Sequence, residues 1–136
     1  MPPVSVVVFP VGKIVYIADD VIVLPGSTKP SVVNLWEIVR VPTGATFPYT
    51  LAKVCAVAWM RDGFGSADFR VDIVDATSNT VIRRSQTYTY AFPDRRRSAL
   101  VVIRLVEVVF PHPGDYLVEF YCENQFIDDQ AIQVLF

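Results

Sequence analysis

Residues 110–122 constrain this chain more than any other stretch. Pro111, Pro113 and Gly114 make a turn, and beyond it every second residue is apolar: Tyr116, Val118, Phe120 and Cys122. Leu117, Glu119 and Tyr121 take the other parity, with Glu123 following. A period of two puts the two sets on opposite sides of an extended backbone, the pattern of a half-buried antiparallel strand. Glu123, Asn124 and Gln125 then turn the chain, and residues 126–136 read as a strand running back. A chain that closes with such a hairpin needs a second layer over the apolar side.

The rest of the chain supplies that layer. No segment has a helical period; Val, Ile, Thr, Tyr and Phe dominate, and Pro or Gly punctuates the ends of apolar runs. Strands read at 5–9, 14–24, 32–41, 51–61, 67–74, 81–90, 100–110, 115–122 and 126–135, with turn signals between them. That spacing predicts an all-β sandwich or barrel. At 136 residues the chain fits one domain, 1–136, with 1–13 as an added N-terminal strand or arm. Phe69, Val71 and Ile73 alternate with Asp68, Arg70 and Asp72, which predicts one wet face. Strand 51–61 is apolar on both parities, which predicts a central strand covered on both sides or set at a subunit contact. Strand 100–110 is the same but for Arg104 and Glu107. Apolar residues reach 52% and charged residues only 19%; the excess fills a two-sheet core or covers an interface.

No run approaches the roughly 20 apolar residues of a membrane helix. The start, Met-Pro-Pro-Val, has neither a basic residue nor a small-residue cleavage site, so no secretory signal is expected and a cytoplasmic location is.

Few residues suggest chemistry. His112 is the only histidine, and a lone histidine between prolines builds neither a zinc centre nor a general-base site without partners. Asp19-Asp20 and Asp128-Asp129 lack the alternating Asp-x-Asp loop of an EF-hand and read as solvated strand ends. Asp62-Gly63-Phe64-Gly65-Ser66 lacks the lysine and helix of a phosphate loop and reads as a hairpin connection, with glycine supplying positive φ. Cys55 and Cys122 are spaced as an inter-sheet bridge would be. However, Trp59 follows Cys55 too closely, and Tyr116 stands too far ahead of Cys122 for a tyrosine corner, which lies about two residues before. Two buried, reduced thiols are expected.

The polar feature that stands out is segment 83–97. Arg83, Arg84, Arg95, Arg96, Arg97 and the later Arg104 are half of the twelve basic residues. Arg84, Gln86, Tyr88, Tyr90 and Phe92 share one strand parity. Basic groups interleaved with aromatics suit single-stranded nucleic acid. Against this, the pI is near 5.2, well below the roughly pI 9 of a dedicated nucleic-acid domain. From residue 105 onward the chain has acids (Glu107, Asp115, Glu119, Glu123, Asp128, Asp129) and no Lys or Arg. The basic and acidic segments are therefore expected to complement each other within one chain or between copies.

The order of these pieces resembles an uncharacterised group of bacterial immunoglobulin-like β-sandwich proteins, a domain of unknown function. The resemblance rests on Ala18-Asp19-Asp20-Val21-Ile22-Val23, on Phe47-Pro48 ahead of a long apolar strand, and on Phe110-Pro111 through Gly114-Asp115-Tyr116 to Phe120. It spans most of 14–136. It implies an immunoglobulin-like antiparallel β-sandwich of about seven to nine strands, and no activity or catalytic residue. The expected function is a non-catalytic structural or protein-interaction module that self-associates or engages another protein. The alternative is a nucleic-acid module. The expected interaction surface is Arg83, Arg84, Tyr88, Tyr90, Arg95, Arg96 and Arg97; no cofactor, metal or membrane is expected.

Overall fold

The computed structural model describes residues 6–8, 10–94, 96 and 98–136, with backbone alone at 6–8 and 11–14. The described residues are all-β. The strands are β1 (Val6–Val8), β2 (Val11–Val23), β3 (Pro30–Leu35), β4 (Ile38–Arg40), β5 (Tyr49–Arg61), β6 (Phe64–Asp75), β7 (Thr80–Arg84), β8 (Tyr88–Phe92), β9 (Ala99–Phe110), β10 (Gly114–Cys122) and β11 (Gln125–Leu135). They form two sheets. The four-stranded sheet runs β3-β2-β5-β9. The seven-stranded sheet runs β6-β10-β11-β4, with β7 and β8 end to end along the free edge of β6 and β1 at the N-terminal end of β6.

The core lies where the inner parities meet. Val54, Ala56, Ala58 and Met60 of β5 and Val101, Ile103 and Leu105 of β9 pack opposite Phe69, Val71 and Ile73 of β6 and Tyr116, Val118, Phe120 and Cys122 of β10. Each large side chain fully buried there contributes about 1.5–3 kcal/mol. The small alanines of β5 let the opposite layer's aromatic rings approach. Glu107, at φ 52°, flips the inward parity of β9 from Ile103 and Leu105 to Val108 and Phe110. Glu123 and Asn124, both at positive φ, close the β10–β11 hairpin.

The structure corrects the sequence reading in three places. Span 32–41 is two strands: β3 leaves β2 at Leu35, and the chain crosses to the other sheet, where β4 pairs parallel with β11. One pair is thus not antiparallel. Span 81–90 is also two strands, because Ser85 inserts into the ladder: its N–H donates to the Val71 carbonyl and its Oγ accepts the Val71 N–H, both at 2.8 Å. These two breaks raise the strand count. The 62–66 connection is no hairpin, since β5 and β6 lie in different sheets. Asp62 and Gly65 carry the positive φ there; Gly63 instead leaves room for Phe92 and Pro10, which a Cβ would meet at 2.9 Å. Residues 5 and 9, the ends of the first expected strand, lie outside the described residues.

Candidate interaction surface

The break at Ser85 puts Arg84 on the opposite face from Tyr88, Tyr90 and Phe92, which keep their expected shared parity within β8. Arg84 lies on the outer face of the larger sheet, opposite Asp72. Asp72 is only 1% exposed, so the face expected to be wet is covered at this point. A buried carboxylate needs a partner, and Arg84 supplies a fork: Nε to Oδ1 and Nη2 to Oδ2, each 3.0 Å. That contact holds the Arg84 guanidinium above its usual range. Arg70 adds a longer contact to Asp72 at 3.4 Å, lies 4.2 Å over the Tyr121 ring, and donates to Asn124 Oδ1 at 2.6 Å.

Arg83 and Tyr90 point the other way, toward the edge of β9. Arg83 Nη1 donates to the Glu107 carbonyl at 3.3 Å. The Tyr90 hydroxyl donates to the Val102 carbonyl at 2.7 Å and accepts the Val102 N–H at 3.3 Å, while its ring stands edge-on to Phe69. An edge strand offers a row of backbone groups for pairing, and these two side chains occupy part of it. Tyr88 is exposed. Arg96 projects into solvent beside Asp94. Arg95 and Arg97 lie outside the described residues. The structure therefore brings Arg83 and Tyr90 together as a latch on β9 and sends Arg84 to another face.

The acidic doublets stand on different sheets. Asp20 accepts the Val21 N–H and contacts Arg104 at 2.9 Å and Lys53 at 3.1 Å; these, the backbone bond foremost, pull its pKa down to about 2. Asp128 accepts the N–H of Asp129. Among the described residues no group of three or more His, Cys, Asp or Glu is placed to hold a metal ion.

His112 does acquire a carboxylate partner. Its Nε2 meets Asp75 Oδ2 at 2.5 Å and its Nδ1 meets the Pro113 carbonyl at 2.8 Å. Its pKa is raised, by the Pro113 carbonyl first and Asp75 next. Burial pushes Asp75 upward, but hydrogen bonds from Thr77, His112 and Ser78 outweigh it and leave Asp75 below its usual value. With both ring nitrogens engaged, neither is free to take a proton from a nucleophile, and the pair acts as a clamp on the β6–β7 and β9–β10 turns.

Both cysteines are buried and unpaired. Cys122 lies in the inter-sheet core, and burial pushes its thiol up to about 12. Cys55 sits on the opposite parity of β5, away from that core, which is why the bridge-like spacing makes no bridge. Burial raises its pKa as well.

What remains is the outer face of the four-stranded sheet. Register aligns Leu35, Ala18, Cys55 and Arg104 in one row and Tyr16, Val57 and Val102 in the next. Ala18, Cys55 and Val57 have no exposed surface, although they face away from the core. Arg104 reaches over β5 to bond Asp20 and the Val21 carbonyl, roofing Cys55. Around this centre Tyr16, Trp59, Leu100 and Val102 are half-buried, and Leu35 and Val106 are each 58% exposed. Periodicity of 51–61 and 100–110 foretold two apolar parities, with Arg104 as an interruption; that Arg104 and Lys53 both meet Asp20 needed the register.

Among the described residues no helix is long and apolar enough to cross a membrane. A search of curated proteins finds no match. Among solved structures, the chain is similar to part of the alkylpurine DNA glycosylase AlkC of Pseudomonas fluorescens, bound to DNA containing an abasic site analogue. The TM-score is 0.46 at 9% identity, covering 90% of this chain and 30% of that one. It is also similar to part of a beta-glucosidase from Listeria innocua in complex with isofagomine. There the TM-score is 0.47 at 12% identity, covering 83% of this chain and 19% of that one. The chain thus spans less than a third of either protein, and neither likeness carries an argument about activity. The family model is of another order of coverage: it matches residues 13–135, and the chain belongs to the family of unknown function DUF6941.

Proposed function

We propose that this chain is a non-catalytic protein-interaction module that self-associates through the outer face of its four-stranded sheet. The observation that carries the reading is β5, apolar on both parities, with one parity in the core and the other beneath half-buried Tyr16, Trp59 and Val102. An antiparallel sheet with one solvated face normally carries polar residues on that face. Here the charged residues at the centre of the face are limited to the Asp20–Lys53–Arg104 cluster, with Arg61 at the end of β5. The non-catalytic part is supported by His112, whose two nitrogens are both spent on structure. The nucleic-acid alternative draws less support, because Arg83, Arg84 and Tyr90 serve three separate neighbours within the fold.

An immunoglobulin-like plan is our reading of the architecture. It is supported by the orders β2-β5-β9 and β6-β10-β11, which parallel strands A-B-E and C-F-G of that fold. A reducing compartment such as the cytoplasm suits two buried, unpaired thiols.

Sedimentation at micromolar concentration tests the proposal. The wild type is expected to assemble, and Leu35→Lys with Val106→Lys, both at exposed positions, to sediment as a monomer. A wild type that stays monomeric overturns self-association.

A further inference from the structure

The two long sides of the sandwich are finished differently. On one, Tyr90 and Arg83 tie β7 and β8 to the edge of β9. On the other, the β3–β4 crossover bridges the sheets with few bonds. The Trp36 N–H donates to the Ile17 carbonyl at 2.9 Å, the Gln133 N–H to the Glu37 carbonyl at 2.8 Å, and the Val41 N–H to the Leu135 carbonyl at 2.7 Å. The crossover therefore covers β2 only from Ile17 onward and β11 only from Gln133 onward.

Upstream of those points, among the described residues, each sheet presents a strand edge without a neighbour. Backbone groups alternate along a strand, so Val15 shares the outward orientation of Ile17, and Asp129 and Ala131 share that of Gln133. The side chains next to them act as stand-ins for a missing strand: Asp128 accepts the Asp129 N–H, and the Gln130 carboxamide donates to the Ala131 carbonyl, each at 2.8 Å.

Between the two edges lies a cleft of about 560 Å³, lined by Val15, Ile17, Trp36 and Ile38, by Tyr16 and Leu35 where it meets the outer face of the smaller sheet, and by polar Glu37 and Gln130. Two smaller clefts, about 340 and 270 Å³, share Ile38, which is 47% exposed. Ile38 thus stands as an apolar post between three hollows. The charge around them is mostly negative. Glu37 and Asp115 line the clefts; on β11, Asp129 is directly opposite Glu119, with Asp128 beside it. Among the described residues none of these acids has a lysine or arginine partner. Of the cations nearby, Arg40 and Lys53 line only the cleft toward β5, and Lys53 is paired with Asp20.

We infer that this side of the sandwich takes up an extended strand of a partner polypeptide, apolar at alternate residues and bearing lysine or arginine between them. Open strand edges recognise an extended backbone whatever its sequence, and pockets for alternate side chains add selectivity. A strand laid beside β11 sends every second side chain inward toward Val15 and Trp36; Ile38, in register with Gln133, stands with Asp129 on the other face. Its other side chains fall on the outer face beside Asp129, where a basic group relieves the Glu119–Asp129 repulsion. A second copy of the same edge is the wrong occupant, because it would bring the acids of β11 against their own kind. The inference concerns the opposite edge from the β9 latch and does not rest on self-association.

The test is a titration of the isotopically labelled protein, followed by its amide and indole NMR signals. The probes are two blocked peptides, Val-Lys-Val-Lys-Val-Lys-Val and its glutamate counterpart. The lysine peptide is expected to give saturable shifts at Val15, Asp129, Ala131 and the Trp36 indole, with affinity falling at least several-fold at high salt. The glutamate peptide is expected to give none. Ala131→Pro removes an outward N–H that the native ladder does not use and is expected to lose binding at least tenfold. Ile38→Lys, at an exposed position, is expected to do the same if the proline variant does not fold. No saturable shift at millimolar peptide overturns the inference, as does an equal response to both peptides. Shifts of Asp129 and Ala131 on raising protein concentration alone also overturn it, since a second copy then occupies the β11 edge.

Discussion

The Tyr116 hydroxyl donates to the carbonyl of His112 at 2.6 Å, tying the start of β10 back to the turn that launches it. The spacing from Cys122 does not reveal this bond, because it depends on where Tyr116 stands at the head of its strand. The same turn carries the clearest pH dependence. His112 has its pKa raised above 6.5, so its contribution to stability is full below that value and is lost as pH rises through the folded pKa. Asp75 has its pKa lowered below 3.8, so its contribution is full above that value and is lost as pH falls through the folded pKa. The two windows overlap between 3.8 and 6.5. The stability difference between wild type and His112→Gln should therefore be larger at about pH 5.5 than at about pH 8.5. Urea midpoints at the two values measure it, and a difference that grows with pH contradicts the clamp.

At the scale of elements, Ser85 decides how β6 is covered. Its hydroxyl accepts the N–H of Val71, a residue with no exposed surface, and donates to the Gln86 carbonyl. Ser85→Ala leaves that N–H buried without a partner and should cost about 1–3 kcal/mol in a denaturant titration; a loss well under half of that would show the ladder closing over the gap. Nothing in the sequence marked this break. A serine between Arg84 and Gln86 is tolerated in a strand, and only the pairing of β7 and β8 along one edge of β6 turns it into a splice. The switch at Trp36 and Glu37 was equally hidden, because β3 and β4 both look extended and the change is one of partner sheet; Asn34 at φ 51° is the local trace of it. Alternation by itself did identify the inner set Tyr116, Val118, Phe120 and Cys122, all fully buried. It also placed Phe69, Val71 and Ile73 inward, since the period of two depends only on the local backbone. The partners of Arg83, Arg84 and Tyr90 were not legible, because each is set by long-range register: a β9 carbonyl, a β6 carboxylate and a β9 amide.

At the scale of the whole molecule, charge and apolar surface are sorted by side. The outer face of the larger sheet carries the Arg84–Asp72–Arg70 network. The β11 edge is acidic, and the outer face of the smaller sheet is apolar around one ion cluster. The asymmetry between 83–97 and the C-terminal acids was visible in the sequence. That β7 and β8 are separated from β11 by β6 and β10 was not, and it prevents neighbouring-strand contact between those two edges within one sheet. The proposed self-association requires the apolar face to be covered when copies meet. Hydroxyl-radical footprinting of Trp59, Tyr16 and Val102 over a range of protein concentrations measures that cover directly. Their oxidation should fall together as concentration rises through the micromolar range, while that of Tyr88, which is exposed on another strand edge, stays level. Oxidation of all four that is unchanged by concentration contradicts it.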